Sequence, residues 1–154
     1  MPVKILKDFL DQNKVHYVSI IHSAAYTAQE TAALFHIPGK ELAKTVMVNI
    51  DGKMAMAVLP ASYRVDFQLL KEVTGAKVVE LANEQEFKYR FPGCETGAMP
   101  PFGNLYEMDV FVAESLTDDE EIAFYAGSHS ELMRLAFKDF EKLVKPKILK
   151  FSVH

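Results

Sequence analysis

Cysteine is nearly absent from this sequence, since Cys94 is the only one among 154 residues. A single cysteine cannot form a disulfide within the chain, and its neighbours lack the further Cys or His ligands of a zinc site. The five histidines include no i, i+4 pair, which is the spacing of two zinc ligands on one helical face. The sequence therefore predicts a protein without disulfide, metal or cofactor, in which Cys94 is a packed or loop residue.

Long apolar runs are also missing, and none approaches the ~20 residues that span a bilayer. At the N-terminus charged residues alternate with apolar ones, unlike the continuous apolar core of a signal peptide. We therefore expect a soluble, cytoplasmic protein that does not contact membranes.

Basic residues are outnumbered by acidic ones, and the formal net charge is −4. Sequence-independent binding to nucleic acid depends on Lys and Arg neutralising phosphates, so the charge argues against DNA as a partner and limits any RNA contact to a local surface. The one basic concentration lies near the C-terminus and comprises Lys138, Lys142, Lys145, Lys147 and Lys150. It is either a docking face or an ordinary solvated surface.

Motifs of several enzyme classes are missing as well. No Gly-x-Gly-x-x-Gly follows a strand, the phosphate-binding Gly-Lys-Ser/Thr is absent, and no Gly-x-Ser-x-Gly occurs. Ser128 adjoins His129, but neighbours in sequence rarely meet in the geometry of a catalytic triad. Dinucleotide-binding, P-loop and serine-hydrolase chemistry are therefore disfavoured.

What the sequence does contain is the pattern of one globular domain over residues 1–154, with 49% hydrophobic and 25% charged residues. Helices are predicted over 3–13, 27–36, 66–75 and 83–91, and strands over 15–21, 43–50, 53–60, 77–81, 108–113 and 122–126. About six strands with irregularly interspersed helices predict a mixed α/β, α+β-like fold, in which a strongly curved mixed sheet or partial barrel is surrounded by helices.

Three kinds of local signal refine this pattern. Asp51-Gly52 is the strongest hairpin signal, and Asp66 and Asn83 are predicted helix N-caps. The step from Gly127 to Glu131 is predicted to lead into the last helix, with Ser128 and Glu131 at capping-box spacing. The apolar stripe of that helix is formed by Leu132, Ala136, Phe140 and Leu143.

The stretch from Gly97 to Gly103 is a stiff apolar loop that contains Pro100 and Pro101. The prolines fix φ and carry no N–H group, while the terminal glycines allow conformations closed to other residues. Such a loop either presents its backbone to a ligand or is a structural turn.

Lys44 and His129 are the side chains most suited to chemistry. Lys44 lies in an apolar segment, so it either snorkels from a strand end or is a cation directed into a cleft. His129 is predicted in the first turn of the last helix, where N–H groups and the positive end of the helix dipole converge. It is either part of an anion-binding site or a residue of a well-capped helix.

Five stretches occur in the order and spacing of one family: 22–30, 43–46, 58–61, 97–103 and 126–129. Together they resemble the YbaK-type aminoacyl-tRNA deacylases, which include the editing domain inserted in bacterial prolyl-tRNA synthetases and its free-standing relatives. The resemblance implies a curved mixed sheet and hydrolysis of the ester that joins a wrong amino acid to the 3′ end of a tRNA, with prolyl-tRNA synthetase or another synthetase as a partner.

The same resemblance implies roles for individual residues. Lys44 matches a lysine needed for activity, the loop contributes backbone through Gly97, Pro101 and Gly103, and His129 matches a histidine of the substrate pocket in alanine-editing members. Thr45 stands where several alanine-editing members have asparagine and matches the cysteine-editing branch instead. The remaining candidates for substrate contact are His22, Tyr26, Thr45, Met56, Val58, Pro101, Phe102, Gly127 and Ser128.

Two functional hypotheses follow. In the first, the protein is a trans-acting, metal-independent deacylase that removes a small amino acid, of the alanine, serine, threonine or cysteine class. Loop N–H groups near Gly97 would stabilise the oxyanion and Lys44 would anchor the ribose or phosphate, while water or the ribose hydroxyl is activated by substrate groups. In the second, the same fold is a non-catalytic module that binds a nucleotide, a tRNA end or a protein.

Overall fold

The structure, a computed structural model, describes residues 4–21 and 41–153. Within these ranges it contains ten strands, four α-helices and two 3-10 helices. In chain order the elements are α1 (Lys4–Gln12), β1 (Tyr17–Ile21), β2 (Ala43–Ile50), β3 (Lys53–Pro60), β4 (Arg64–Val65), α2 (Phe67–Thr74), β5 (Val79–Leu81), α3 (Glu84–Phe87), the first 3-10 helix (Gly103–Leu105), β6 (Asp109–Ala113), the second 3-10 helix (Glu114–Asp118), β7 (Glu121–Tyr125), β8 (Glu131–Ala136), α4 (Phe137–Val144), β9 (Lys147–Leu149) and β10 (Ser152–Val153).

The strands form a mixed arrangement, as the sequence predicts. A five-stranded sheet has the order β5-β2-β3-β6-β9, in which β2 is antiparallel to β3 and β5, whereas β6 is parallel to β3 and β9. A three-stranded antiparallel sheet has the order β1-β8-β7, and the short β4 and β10 form a separate pair. A parallel bridge between Leu42 and Ala123 joins β2 to β7. Among the described strands the sheet does not close into a barrel.

The central hairpin of β2 and β3 has the bounds that the sequence predicts. Asp51 and Gly52 both have positive φ, 51° and 83°, which is the backbone of the two-residue turn that an Asp-Gly pair favours. The Asp51 carboxylate also accepts hydrogen bonds from the backbone N–H groups of Lys77 and Val78, both at 2.9 Å. The turn is therefore tied to the segment that enters β5.

The core lies on both faces of the five-stranded sheet. Met56 and Val58 of β3 face a large cluster with Phe102 at its centre, while Ala57 and Leu59 face a second cluster beneath α2, and all five are fully buried. Because side chains alternate between the faces of a strand, a central strand covered on both sides needs apolar residues at almost every position.

Both predicted N-caps are present. An Asp66 carboxylate oxygen accepts the N–H of Leu69 at 3.0 Å at the start of α2, and the Asn83 side chain accepts the N–H of Glu86 at 3.0 Å at the start of α3. In return, the Asn83 amide donates to the Glu86 carboxylate at 2.9 Å. The helix α3 ends at Phe87, earlier than the predicted end near residue 91.

The prediction of a helix beginning at the Gly127 to Glu131 step is wrong. Glu131–Ala136 is the strand β8, paired with β1 on one side and β7 on the other, and the helix α4 begins only at Phe137. Met133 and Leu135 are buried on one face of this strand and Leu132 on the other, so the apolar pattern also fits the two-residue period of a strand. Strand partners on both sides supply the backbone hydrogen bonds, and this tertiary pairing overrides the helical pattern.

Candidate functional site

Lys44 occupies the second position of β2, opposite Leu59 of β3. Its side chain is partly buried, and burial lowers the pKa of the ammonium group from its ordinary value. Within the described ranges no hydrogen bond or ion pair reaches this ammonium group. A partly desolvated lysine can bind an anionic ligand, which makes Lys44 a candidate binding residue.

Lys44 lies where β2 and β7 separate. The Leu42–Ala123 bridge is supported by a hydrogen bond from the Ala123 N–H to the Glu41 carbonyl at 3.0 Å, and among the described residues no further bridge joins β2 to β7. Residues two apart in a strand share a face, so Lys44 and Tyr125 leave their strands on the side of Leu42 and Ala123. Tyr125 packs against the Leu42–Ala123 cluster, in agreement with this geometry.

The gap beside Lys44 is bounded further along β2. The Met47 carbonyl accepts the N–H of Ala82 at 2.9 Å, and β5 then pairs with β2 from Val48 to Ile50. Among the described residues, no strand therefore pairs with the outer edge of β2 between the Leu42 bridge and Met47. This unpaired edge of β2, which carries Lys44, is where we place the candidate cleft.

His129 lies in the turn between β7 and β8 and not at a helix start, which corrects the predicted placement and removes the helix dipole from its surroundings. Its ring packs edge-on against Tyr125, with 5.4 Å between ring centroids. Because Tyr125 also packs against the cluster that contains Leu42, a series of contacts links the His129 ring to the start of the strand that carries Lys44.

The segment from Glu95 to Ala98 is joined to this turn through backbone atoms. The Glu95 N–H donates to the Gly127 carbonyl at 2.7 Å, and the Gly127 N–H donates to the Ala98 carbonyl at 2.9 Å. The Glu95 carboxylate also accepts the N–H of His129 at 3.2 Å. Gly127 has a φ of 107°, which favours glycine at this position.

Gly97 is in direct contact with the His129 ring. A Cβ atom built at Gly97 would lie 3.4 Å from His129 Cε1 and 3.6 Å from Nε2, and the φ of Gly97 is 86°. Next to it, the Thr96 carbonyl lies 2.9 Å from His129 Nε2. A carbonyl only accepts hydrogen bonds, so Nε2 carries a proton and Nδ1 is the ring atom that can accept one.

Most of the glycine-proline loop is core. Residues 98–103, including Pro101, Phe102 and Gly103, are buried, and only residues 95–97 are exposed at the site. A Cβ atom at Gly103 would lie 2.6 Å from both the Met108 carbonyl oxygen and Val110 Cγ2, so this glycine allows close packing against β6. Gly103 and Pro101 therefore position the loop from within the core and do not border the cleft.

One N–H group of the loop is suited to receive a developing negative charge. The Gly97 N–H faces the Met99 sulfur at 3.2 Å, and a thioether is a weak acceptor. The Ala98 N–H, by contrast, is used in a turn with the Glu95 carbonyl at 3.0 Å. Gly97 can thus redirect its N–H to a ligand at little cost.

The remaining predicted contact residues fall into three groups. Met56, Val58 and Phe102 are fully buried in the large core cluster, so they are core residues here and not walls of an open pocket. Thr45 is half-buried on β2, and the Ser128 hydroxyl is 3.0 Å from the Ser130 hydroxyl within the turn. His22, Tyr26 and the helix predicted over 27–36 lie outside the described residues.

Sequence reasoning missed Glu95, Thr96 and Tyr125, which hold His129 in place. Thr96 acts through its backbone carbonyl, and Glu95 acts through a carboxylate that accepts a backbone N–H. Neither role produces a recognisable side-chain pattern in the sequence. Glu131 was taken for a capping residue, yet it is 1% exposed at the start of β8, and the Ser19 hydroxyl lies 3.4 Å from its carboxylate.

Cys94 lies near the site but is poorly suited to nucleophilic chemistry. It is partly buried with its sulfur 3.7 Å from the Tyr106 hydroxyl, and burial raises the pKa of the thiol. A raised pKa lowers the fraction of reactive thiolate at neutral pH. Cys94 is a packing residue, as its sequence context predicts.

A cavity of about 640 Å³ lies elsewhere, against α4 and the second 3-10 helix. Its walls include Phe137 and the acidic residues Asp119, Glu120 and Glu141. Lys138 is the only cation in its lining, and Lys44, Gly97 and His129 do not border it. Size alone does not mark the functional site of this protein.

Replacing Gly97 by alanine is expected to lower the free energy of unfolding by about 1–2 kcal/mol, because a non-glycine residue is strained at positive φ. The new methyl group also touches the His129 ring and should shift its NMR resonances. Gly75→Ala is the matched control, since Gly75 has a φ of 72° but open space around its Cβ position. Equal NMR shifts of His129 in both variants would contradict the contact.

The comparison with known protein families includes the residues of the candidate site. A sequence profile of the aminoacyl-tRNA editing domain matches residues 22–143. The chain belongs to this family. The resemblance to editing-domain proteins found in the sequence is thereby confirmed, and the match includes Lys44, Gly97 and His129.

This editing domain is also similar to part of the proline–tRNA ligases. It is 28% identical over 82 residues to the ligase of Bacillus mycoides (strain KBAB4), a match that covers 53% of this chain and 14% of the ligase. The match therefore spans about one-seventh of the curated relative.

Solved structures share the fold of this editing domain. A crystal structure described as a candidate trans-editing enzyme for prolyl tRNA synthetase superposes with a TM-score of 0.83 at 16% identity, covering 98% of this chain and 96% of that one. A hypothetical protein superposes with a TM-score of 0.84 at 19% identity, covering 97% and 100%. At these identities the likeness establishes the fold alone.

The described residues contain neither a membrane-spanning helix nor a metal-binding cluster. No helix there is long and apolar enough to cross a membrane. No group of three or more His, Cys, Asp or Glu side chains in that part of the chain is arranged to hold a metal ion.

Proposed function

We propose that this editing domain is a trans-acting deacylase that hydrolyses the ester between a small, wrong amino acid and the 3′ end of a tRNA. The observation that supports the proposal is the series of contacts from the loop at Gly97 through His129 and Tyr125 to the cluster around Leu42, two residues before the partly buried Lys44. The family supports aminoacyl-tRNA as the substrate class.

In this proposal Lys44 binds the anionic or hydroxyl-rich end of the tRNA. An ammonium group that has already lost part of its hydration gains more from a phosphate or ribose oxygen than a solvated one does. The cation thereby fixes the terminal adenosine relative to the loop. Anchoring at Lys44 requires no proton transfer by the protein.

The Gly97 N–H is the donor proposed to face the ester carbonyl as the oxyanion develops. A preorganised donor of this kind is typically worth about 2.7–4 kcal/mol. Its present partner, the Met99 sulfur, is readily replaced by a charged oxygen. A water molecule is the attacking group: its oxygen bonds to the acyl carbon, the acyl C–O bond to the ribose breaks, and the products are the free amino acid and a tRNA with a free ribose hydroxyl. The neighbouring ribose hydroxyl can help to activate the water.

His129 is proposed to contact the amino acid moiety. Because Nε2 donates to the Thr96 carbonyl, the free Nδ1 can accept a hydrogen bond from the amino group or a side-chain hydroxyl. The contacts with Tyr125 and Gly97 hold the ring and limit the room beside it. This limited room beside the ring is our reason to propose a small substrate of the alanine, serine, threonine or cysteine class.

The decisive experiment is a panel of tRNAs charged with labelled alanine, serine, threonine, cysteine and proline. Purified protein is added, and loss of the ester is followed against the spontaneous rate with a chelator present. We expect hydrolysis of one or more small wrong amino acids and none of prolyl-tRNA(Pro). Binding without any hydrolysis would instead identify a non-catalytic module.

The lysines at the C-terminal side are proposed to dock the body of the tRNA. Lys142, Lys145 and Lys147 are exposed. Lys147 lies on the edge strand β9, opposite Phe111 of β6. This edge is three strands from β2, about 14 Å at ~4.8 Å per strand, so it lies beyond the reach of the terminal nucleotide. It is within reach of the acceptor stem.

Replacing Lys142, Lys145 and Lys147 together by glutamine should raise KM for charged tRNA and reduce the salt dependence of binding by about one unit of log–log slope per lysine. Hydrolysis of a minimal aminoacyl-adenosine should not change. The control replaces three exposed lysines elsewhere, Lys4, Lys71 and Lys77. An unchanged KM in the first variant, or an equal rise in the control, would contradict docking at this edge.

A further inference from the structure

An exposed aromatic residue stands between two cations directly after α3. Tyr89 is 82% exposed, the highest value among the large hydrophobic side chains of the described residues. Lys88 and Arg90 are exposed on either side of it, and the Lys88 ammonium lies 4.9 Å from the centre of the Tyr89 ring. Neither the core nor the cleft at Lys44 explains this tripeptide.

The tripeptide is held firmly at both ends. Phe87 and Phe91 are 8% and 4% exposed, and their rings pack edge-on with 6.4 Å between centroids. Phe91 also packs against Tyr106 at 4.6 Å, and the Arg90 N–H donates to the Phe87 carbonyl at 2.9 Å. Tyr89 is therefore displayed on an anchored turn.

This turn lies close to the candidate site. The Thr96 hydroxyl lies 3.4 Å from the Glu84 carboxylate at the start of α3, and the Thr96 carbonyl contacts His129. The four residues of α3 then span about 6 Å between Glu84 and the turn. That length corresponds to about two stacked nucleotides at ~3.4 Å each.

The nearby acidic side chains are already engaged. Glu84 contacts Thr96, Glu86 contacts Asn83 and Asn49, and Glu95 accepts the His129 N–H. Lys88 and Arg90, by contrast, form no ion pair within the described part of the chain. Within the described residues, Lys88 and Arg90 are therefore the cations available at the turn to pair with phosphates.

We propose that Tyr89 stacks on a base of the single-stranded 3′ end of the tRNA, one or two nucleotides before the terminal adenosine, while Lys88 and Arg90 neutralise the adjacent phosphates. An exposed aromatic face flanked by cations is the usual platform for single-stranded nucleic acid. The inference rests on the proposed function, because it takes the terminal adenosine to be held at Lys44. It adds a second, separate contact for the same strand.

The test measures binding independently of catalysis. A fluorescein-labelled single-stranded RNA ending in CCA is titrated with wild-type protein, Tyr89→Phe and Tyr89→Leu, and anisotropy is recorded. We expect Tyr89→Phe to bind like wild type, because it keeps the ring, and Tyr89→Leu to bind about 5- to 150-fold more weakly. Equal binding by all three proteins, or an equal loss in both variants, would overturn the proposal.

Kinetics provide the second readout. In Tyr89→Leu, KM for charged tRNA should rise while hydrolysis of the minimal aminoacyl-adenosine stays at the wild-type rate, since that substrate lacks the upstream nucleotides. An equal loss on both substrates would indicate a structural role and contradict stacking. If wild type hydrolyses neither substrate, the proposed function fails, and the anisotropy result alone decides on Tyr89.

The two cations are tested by salt dependence. Replacing Lys88 and Arg90 by glutamine should reduce the slope of log affinity against log salt by about two. The control, in which Lys71 and Lys77 are replaced by glutamine, should leave the slope unchanged. If Tyr89→Leu binds RNA normally but no longer co-purifies with a synthetase, the turn is a protein-docking surface and the nucleic-acid proposal is wrong.

Discussion

Replacing Lys44 by methionine is expected to reduce deacylation by about 100- to 1,000-fold, the range typical for loss of a single preorganised charge or donor at an ester-hydrolysing site. Methionine keeps the length and apolar character of the lysine stem but removes the cation. Single-turnover hydrolysis of the best substrate from the tRNA panel is the measurement.

The same variant should retain its fold and lose no stability. Burial lowers the folded-state pKa of Lys44, so the charged form is disfavoured by folding, and removing the charge takes away that cost. The free energy of unfolding of Lys44→Met should therefore equal or exceed that of wild type at neutral pH. Full activity in a folded Lys44→Met protein would rule out the proposed mechanism.

The pH dependence has a defined sign. Because the folded-state pKa is lowered, the folded chain loses the Lys44 proton before the unfolded chain does as the pH rises. Stability contributed by this residue therefore rises with pH between the lowered pKa and the ordinary value, whereas activity that depends on the cation falls there. In Lys44→Arg, whose guanidinium stays charged, the alkaline loss of activity should be absent.

Replacing Phe102 by alanine is expected to lower the free energy of unfolding by about 3–5 kcal/mol. The Phe102 ring is fully buried, with the rings of Phe124 and Phe140 at 5.5 and 5.4 Å and that of Phe9 at 6.3 Å. Alanine would leave a cavity among three aromatic neighbours. Urea unfolding followed by circular dichroism measures the loss.

Phe102→Leu is the matched control, because leucine fills most of the space and should cost less than half as much. In both variants the preference among mischarged tRNAs should match that of wild type, since Phe102 does not border the cleft. A changed substrate preference with normal stability would support the sequence-based prediction that Phe102 contacts the substrate.

Local signals in the sequence predicted local structure well. The Asp51-Gly52 turn and the Asp66 and Asn83 caps depend on a side chain or a backbone preference acting within a few residues, and each is present. A mixed sheet also followed from the order of the strands. Strand partners could not be predicted in the same way, because pairing is set by residues far apart in the chain.

The segment after Gly127 shows how this limit affects the site. Its apolar spacing fits both a helix and a strand, and only the pairing with β1 and β7 selects the strand. His129 was therefore given the wrong surroundings, and its role in the site stays a prediction. The contact between Gly97 and His129 arises from two backbone hydrogen bonds at Gly127, which involve no recognisable side chain.

The two backbone hydrogen bonds at Gly127 have a consequence for how the sequences of such domains diverge. Because main-chain atoms hold the loop against the turn, side chains such as Ser128 and Ser130 can be exchanged without moving Gly97 or the path of the chain. Under the proposed function, the side chains that would recognise the amino acid can therefore be varied one at a time while the backbone stays in place. A new substrate preference should be accessible through single substitutions in the turn, without an intermediate that has lost the fold.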